Sequence, residues 1–162
     1  MVKVFISHST KDFKLVDVLG RYLEACAIKV YIAERDIQPG KPLSQKIEQN
    51  IEKSDYFLVV YTENGKSSEY VQQEIGLWKG RRHNINLVPF VEKGLDPGAF
   101  LCGLEYIEFD PFNLNLGFVK VKNFIEMKRK KERNQLYLGV GVGIGFIGII
   151  SLALYGLSKL DD

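Results

Sequence analysis

The sequence predicts an α/β fold: a five-stranded parallel sheet with helices on both faces, followed by one C-terminal transmembrane helix. Three observations carry the prediction. Short apolar runs alternate with amphipathic helical stretches through residues 1–126, and such alternation builds a parallel sheet covered on both sides. Turn-forming residues, Pro39-Gly40 among them, separate the runs. Leu136 to Leu157, "LYLGVGVGIGFIGIISLALYGL", then runs for 22 residues without a charge, and roughly 20 apolar residues carry a helix across a bilayer core.

Val2–Ile6 reads as a short buried strand. Ser9, with Asp12 three residues on, has the spacing of a helix N-terminal capping box. Leu15, Val18, Leu19, Tyr22, Leu23 and Cys26 recur at i, i+3, i+4, i+7, i+8 and i+11, the apolar face of a helix. Ile28–Ile32 is a second strand and opens into the turn-rich "AERDIQPGKP". Leu43, Ile47 and Ile51 mark a second helix, and Tyr56–Tyr61 a third strand. A polar loop leads to "SSEYVQQE", residues 67–74, which starts a third helix. Leu87–Phe90 with its neighbours makes a fourth strand, Tyr106–Phe109 a fifth, and Phe118, Val121 and Ile125 one face of a last helix. The simplest order for five such strands is the flavodoxin-like 2-1-3-4-5, in which ligands bind outside the carboxyl ends of the strands near the switch between strands 1 and 3. "SHSTK", "RDIQPGK" and "SSEYVQQE" all emerge at that edge.

Charge divides the chain. Residues 1–126 hold 16 Lys+Arg and 17 Asp+Glu, whereas residues 127–133, "MKRKKER", hold five basic residues and one acid. So local a basic patch gives the globular part no footprint for nucleic acid. Five cations just before a span keep that end on the cytoplasmic side and attract anionic lipid headgroups; only Lys159 follows the span, beside Asp161 and Asp162. The expected organisation is a globular domain over 1–126, a basic juxtamembrane segment over 127–135, a transmembrane helix over 136–158 and a short tail over 159–162. That makes a single-pass membrane protein with its globular domain in the cytoplasm. No basic-then-apolar leader precedes the first strand, so no cleaved signal peptide is expected. Cys26 and Cys102 lack metal-ligand spacing and are expected to sit reduced in a cytosolic core. Gly143, Gly145 and Gly148 match a G-x-G-x-x-G pattern, but inside an apolar span no pyrophosphate reaches them. Gly139 with Gly143, and Gly141 with Gly145, have the spacing of close helix packing.

"VFISHSTKD", "YIAERDIQPGKPL" and "SDYFLVVYTENGKSSEYVQQEIG", in this order and at these spacings, together resemble a Toll/interleukin-1 receptor (TIR) domain of the prokaryotic kind, over residues 1 to about 110. The family's Ser-x-Trp-x-x-x-Glu pattern maps onto Ser68, Tyr70 and Glu74, with tyrosine where the family has tryptophan. The resemblance implies cleavage of NAD between nicotinamide and ribose, with Glu74 catalytic and Tyr70 contacting substrate. It further implies that Ser9, Thr10 and Gln38 line the NAD pocket, although capping and turn roles account for these three equally well. Several TIR pockets carry arginine after strand 1, where this chain has Ser9-Thr10. NAD is substrate here; no cofactor and no metal are called for. The chemistry suits one carboxylate, because nicotinamide is cationic in NAD and leaves neutral, so that no general acid is needed, unlike an ordinary glycosidase. A single carboxylate can stabilise oxocarbenium character, and Tyr70, four residues before Glu74, shares its helix face.

The implied role is antiviral defence, by NAD depletion or a nucleotide signal, with a linear or cyclic ADP-ribose product. Self-association with other TIR domains and lipid contact through the C-terminal helix complete the implied partners. The alternative is a non-enzymatic adaptor acting through TIR–TIR assembly. A phosphorylated receiver domain shares the strand order but needs an acidic pair after strand 1 and an Asp ending strand 3, where this chain reads Ser7-His8-Ser9 and Tyr61-Thr62. His8 is expected to be a packed residue at the strand end, Trp78 to pack on its helix face, and Asp36, Pro39 and Gly40 to shape a loop.

Overall fold

A computed structural model describes residues 1–40, 42–82 and 85–134. The chain divides into two compact units, Met1–Lys122 and one beginning at Asn123.

In the first unit five strands, β1 (Lys3–Ser7), β2 (Lys29–Tyr31), β3 (Tyr56–Tyr61), β4 (Leu87–Glu92) and β5 (Ile107–Phe109), form one sheet in the order β2-β1-β3-β4-β5. Every pairing is parallel, as the flavodoxin-like expectation requires. β3, at the centre of the sheet, is apolar throughout because both its faces are covered: all six of its residues are buried.

The period of two sorts these residues between two layers. Phe5, Phe57, Val59 and Tyr61 pack with Ile51 of α2 (Leu43–Glu52) and with Val71, Ile75 and Trp78 of α4 (Glu69–Arg82). The Trp78 ring stacks on Phe57 at 5.2 Å, and its indole N–H donates to the Ile85 carbonyl at 3.0 Å, so Trp78 belongs to the core as its helix-face spacing predicts. On the opposite layer Phe90 stacks on Phe109 at 4.3 Å, and Phe118 bridges Phe90 and Tyr22. Residues 114–122 are helical. Gly117 lets that helix approach the sheet: a Cβ there would lie 2.8 Å from Phe109 Cβ and 2.9 Å from Phe90 Cζ.

Four local expectations are corrected. The Ser9/Asp12 capping box does not form, because a 3-10 turn, Thr10–Asp12, precedes α1 (Phe13–Ala25). Ser9 caps that turn by accepting from Lys11 N–H. Asp12 points across the sheet edge instead, accepting from Thr62 Oγ1 at 2.6 Å and Asn64 Nδ2 at 2.8 Å. Secondly, the buried stripe of α1 is Val16, Leu19, Gly20 and Leu23, while Val18 is 53% exposed; the apolar face is rotated from the predicted one, since Leu19 and Leu23 fit both registers. Thirdly, the polar loop before the third helix holds a helical turn of its own, α3 (Glu63–Lys66), capped by Thr62. Fourthly, Cys102 is exposed and Cys26 partly so, both free, so neither is a core residue.

Residues 123–134, the described part of the second unit, are helical; within them Lys128 Nζ lies 5.5 Å from the Phe124 ring centre. The predicted span over 136–158, its glycine seams and the tail over 159–162 lie outside the described residues. Among the described residues no helix is long and apolar enough to cross a membrane.

Candidate active site

Glu74 occupies an unusual place on α4. Val71, Ile75 and Trp78 form the stripe facing the sheet, while Tyr70, Gln73, Glu74 and Leu77 form the neighbouring stripe on an open cleft. At i+3 from Val71 and i+4 from Tyr70, Glu74 lies on the border of both stripes. Ser68 precedes the helix and its hydroxyl accepts from Val71 N–H at 3.4 Å, satisfying one of the free donors of the first turn.

β1 delivers the partner. Ser7 follows Phe5 by two residues and so points to the α4 side of the sheet. It is buried and paired in register with Val59. Its hydroxyl donates to Glu74 Oε2 at 2.5 Å. His8, the next residue, places Nε2 3.2 Å from Glu34 Oε2, in the 3-10 turn Ala33–Arg35 after β2, and Nδ1 3.3 Å from the Ile6 carbonyl. His8 is packed at the strand end as expected, with Nε2 turned to the Glu34 carboxylate.

Electrostatics single out this spot. Burial pushes the Glu74 carboxyl up to about 7; the Ser7 hydrogen bond and the nearby His8 oppose the rise, and Glu34 adds to it. Burial also pushes Glu34 up, but the hydrogen bond and charge of His8, together with its own backbone, outweigh that and hold it below the usual carboxylate range. Tyr31 is pushed up to about 12, first by burial and then by Asp36, with Glu74 contributing. A carboxyl poised near neutrality beside a cleft is a recurrent feature of functional sites.

The cleft has a volume of about 480 Å³ and runs between α2 and α4, with Leu43, Ile47 and Leu77 as apolar walls and Glu48, Gln73 and Tyr70 as polar ones. Leu43 is 55% exposed and Tyr70 72%, because both open onto this cleft rather than onto the core. No lysine or arginine lines it among the described residues. Arg81 binds Glu48 and Glu52 from the end of α4.

Of the five predicted site residues, the fold brings Glu74 and Tyr70 together in the cleft and leaves the other three outside its lining. Ser9 is buried and spends its side chain on the 3-10 turn. Thr10 is exposed on that turn. Gln38 is exposed and donates to Asp36 Oδ1 at 3.0 Å. Ser9 thus has a capping contact and Gln38 a local turn contact. Asp36 is held to α2 by Lys46 Nζ at 2.8 Å, and Gly40 turns the loop with φ +84°, which only glycine adopts freely, so the loop-shaping expectation fits. Ser7 and Glu34 were missed. The available signal for Ser7 was one hydroxyl ending an otherwise apolar strand; Glu34 had none beyond being an acid after a strand.

Fold and cleft thus define a doubly wound α/β domain with a half-buried carboxylate, Glu74, facing a cleft at the strand-end edge. The chain belongs to the TIR domain family, whose sequence model matches residues 4–116. It is similar in structure to the TIR domain of the Toll-related receptor TRR-2 from Hydra magnipapillata, with a TM-score of 0.64 and 20% identity over 78% of this chain and 97% of that one. It is also similar to the TIR domains of the activated Roq1 resistosome, which recognises the pathogen effector XopQ (TM-score 0.51, 18% identity, 84% of this chain and 77% of that one). A third likeness is to BcmB, a CMP N-glycosidase of Clostridium botulinum (TM-score 0.50, 16% identity, 67% of this chain and 89% of that one). At these identities the likeness speaks for the fold alone. No curated protein matches the chain.

Proposed function

We propose that this TIR domain cleaves NAD at the bond between nicotinamide and ribose, with Glu74 as the catalytic carboxylate. The observation that supports this best is the placement of Glu74: a carboxyl pushed up to about 7 by burial, hydrogen-bonded to the sheet on one oxygen and open to a cleft beside Tyr70. The C1′–N bond breaks with its electron pair going to the nicotinamide nitrogen, which neutralises the ring's charge and leaves oxocarbenium character on the ribose. Ionised Glu74 stabilises that charge in a poorly solvated place, where electrostatic stabilisation is strongest. Water, or a nitrogen of the adenine ring, then takes C1′, giving linear or cyclic ADP-ribose. Tyr70 offers a ring face to the departing nicotinamide. BcmB lends support from outside, since a protein of similar fold is a CMP N-glycosidase and so acts on the same type of bond.

In this reading the protein is anchored by the apolar span 136–158, keeps its TIR domain in the cytoplasm, holds the basic segment against anionic lipid, and works as an assembly of TIR domains in antiviral defence. The deciding experiment incubates the purified full chain with NAD and identifies products by mass spectrometry. Release of nicotinamide by the wild type and its loss in Glu74→Gln is the expected result. No release from an assembled, folded protein points to the adaptor alternative.

A further inference from the structure

We infer that Ser7 is a positioning residue for Glu74, its hydroxyl fixing Oε2 against the sheet so that Oε1 is left for the substrate. The inference rests on the reading of Glu74 as the catalytic carboxylate and adds what holds it in place. Three observations converge on Ser7. It ends a strand that is otherwise apolar after its first residue, "KVFIS", and it is 1% exposed, so its hydroxyl has no water to satisfy it and must find a protein partner. Its backbone lies in the ladder opposite Val59, which makes the anchor rigid. The Oγ–Oε2 distance of 2.5 Å falls in the range of a charge-assisted O–H···O⁻ bond.

Nothing else does the same job. The groups that face the Glu74 carboxyl are Ser7 from β1, His8 just after it, Tyr31 from β2, Glu34 from the following turn, and Glu48 from α2 across the cleft; Tyr70 and Gln73 flank it on its own helix. Among the described residues Ser7 alone hydrogen-bonds it. A side chain with three rotatable bonds, held at one oxygen by a strand, loses most of the freedom that would otherwise scatter it across the cleft. The same bond favours the ionised form against the burial that disfavours it.

The test compares Ser7→Ala, Ser7→Thr and wild type as full chains, in two measurements. The first is the pH profile of NAD cleavage. Ser7→Ala is expected to lower kcat about tenfold or more while KM changes little, and to move the midpoint of the acid limb up by about one pH unit; Ser7→Thr, which keeps the hydroxyl, restores both. The second is the titration of the Glu74 carboxyl by carbon-13 NMR, its resonance assigned by its absence in Glu74→Gln. This reading needs no turnover, so it judges Ser7 even if the wild type does not cleave NAD, an outcome that would sink the proposed function alone. A folded Ser7→Ala whose Glu74 titrates at the wild-type midpoint overturns the inference. If Ser7→Ala does not fold, Ser7→Cys, similar in size but a weak donor, serves the same comparison with the same deciding outcome.

Discussion

His8 Nε2 and Glu34 Oε2 lie 3.2 Å apart, tying the end of β1 to the turn after β2 beside the Glu74 carboxyl. The two residues act on Glu74 in opposite senses, His8 lowering its pKa and Glu34 raising it. Glu34→Gln is therefore expected to shift the acid limb of the NAD cleavage profile to lower pH, and His8→Gln to shift it higher. Movement of both in one direction would mean that the pair acts on loop position rather than through charge. Glu34, held below its usual range by His8, also contributes stability at neutral pH that fades as the solution is taken below its unfolded pKa of 4.5 and through its lower folded one.

Glu74 itself couples activity and stability to pH in opposing ways. Its carboxyl must be ionised to act, so kcat/KM should rise between pH 6 and 8 and level off above the folded pKa of about 7. For stability the sign reverses: with the pKa raised from 4.5 to about 7, the folded state binds more protons than the unfolded chain, and its stability falls as pH rises through that window. Glu74→Gln removes the penalty. It should abolish turnover yet be more stable than wild type at pH 8, by up to roughly 3 kcal/mol, with the difference vanishing near pH 4. Chemical denaturation of both proteins across that range decides it, and a glutamine variant that is less stable at pH 8 would contradict the buried carboxyl.

Asp12 is the acceptor for two side chains just beyond the end of β3, Thr62 and Asn64, and Thr62 Oγ1 in turn accepts from Gly65 N–H to cap α3. Removing the acceptor leaves both donors short of a partner at a buried edge. Asp12→Ala should cost about 2–3 kcal/mol in urea unfolding, whereas Asp12→Asn, which keeps an acceptor oxygen, should cost less. Equal losses in the two would show that charge rather than hydrogen bonding matters there.

The proposed membrane orientation has a direct readout. Lys128, Arg129, Lys130, Lys131 and Arg133 immediately precede the apolar run, and cations so placed would hold the N-terminal side of the proposed span in the cytoplasm. Protease added to spheroplasts should remove a C-terminal tag and spare the TIR domain. A protected tag with a digested domain reverses the topology and removes the domain's access to cytosolic NAD.

Strand and helix positions and the shared helix face of Tyr70 and Glu74 were legible from sequence because each rests on short-range periodicity, while the order 2-1-3-4-5 followed from the simplest doubly wound arrangement of five strands. Buried apolar runs such as Tyr56–Tyr61 announce a doubly covered strand, and residues four apart on a helix share a face wherever that helix packs. Boundaries were close for the same reason, and β3 ran over the predicted residues. The rotation of α1 was not legible, since Leu19 and Leu23 serve two overlapping stripes and only contact with β2 and the helix over 114–122 chooses between them. Nor was the 3-10 turn that takes Ser9 from α1 and frees Asp12 for Thr62, a partner 50 residues away.

The site shows the same division. Sequence alone determined that a glutamate would stand four residues after an aromatic at the strand-end edge. Tertiary structure decided that its oxygen meets Ser7, 67 residues away, that Glu34 meets His8, and that Ser9 and Gln38 make local hydrogen bonds. Ser, Thr and Gln at turns look alike in sequence, because their short-range hydrogen bonds are available in every fold. What distinguishes Ser7 is the lack of water around it once β3 and α4 close over β1, and that is a property of packing between segments far apart in the chain.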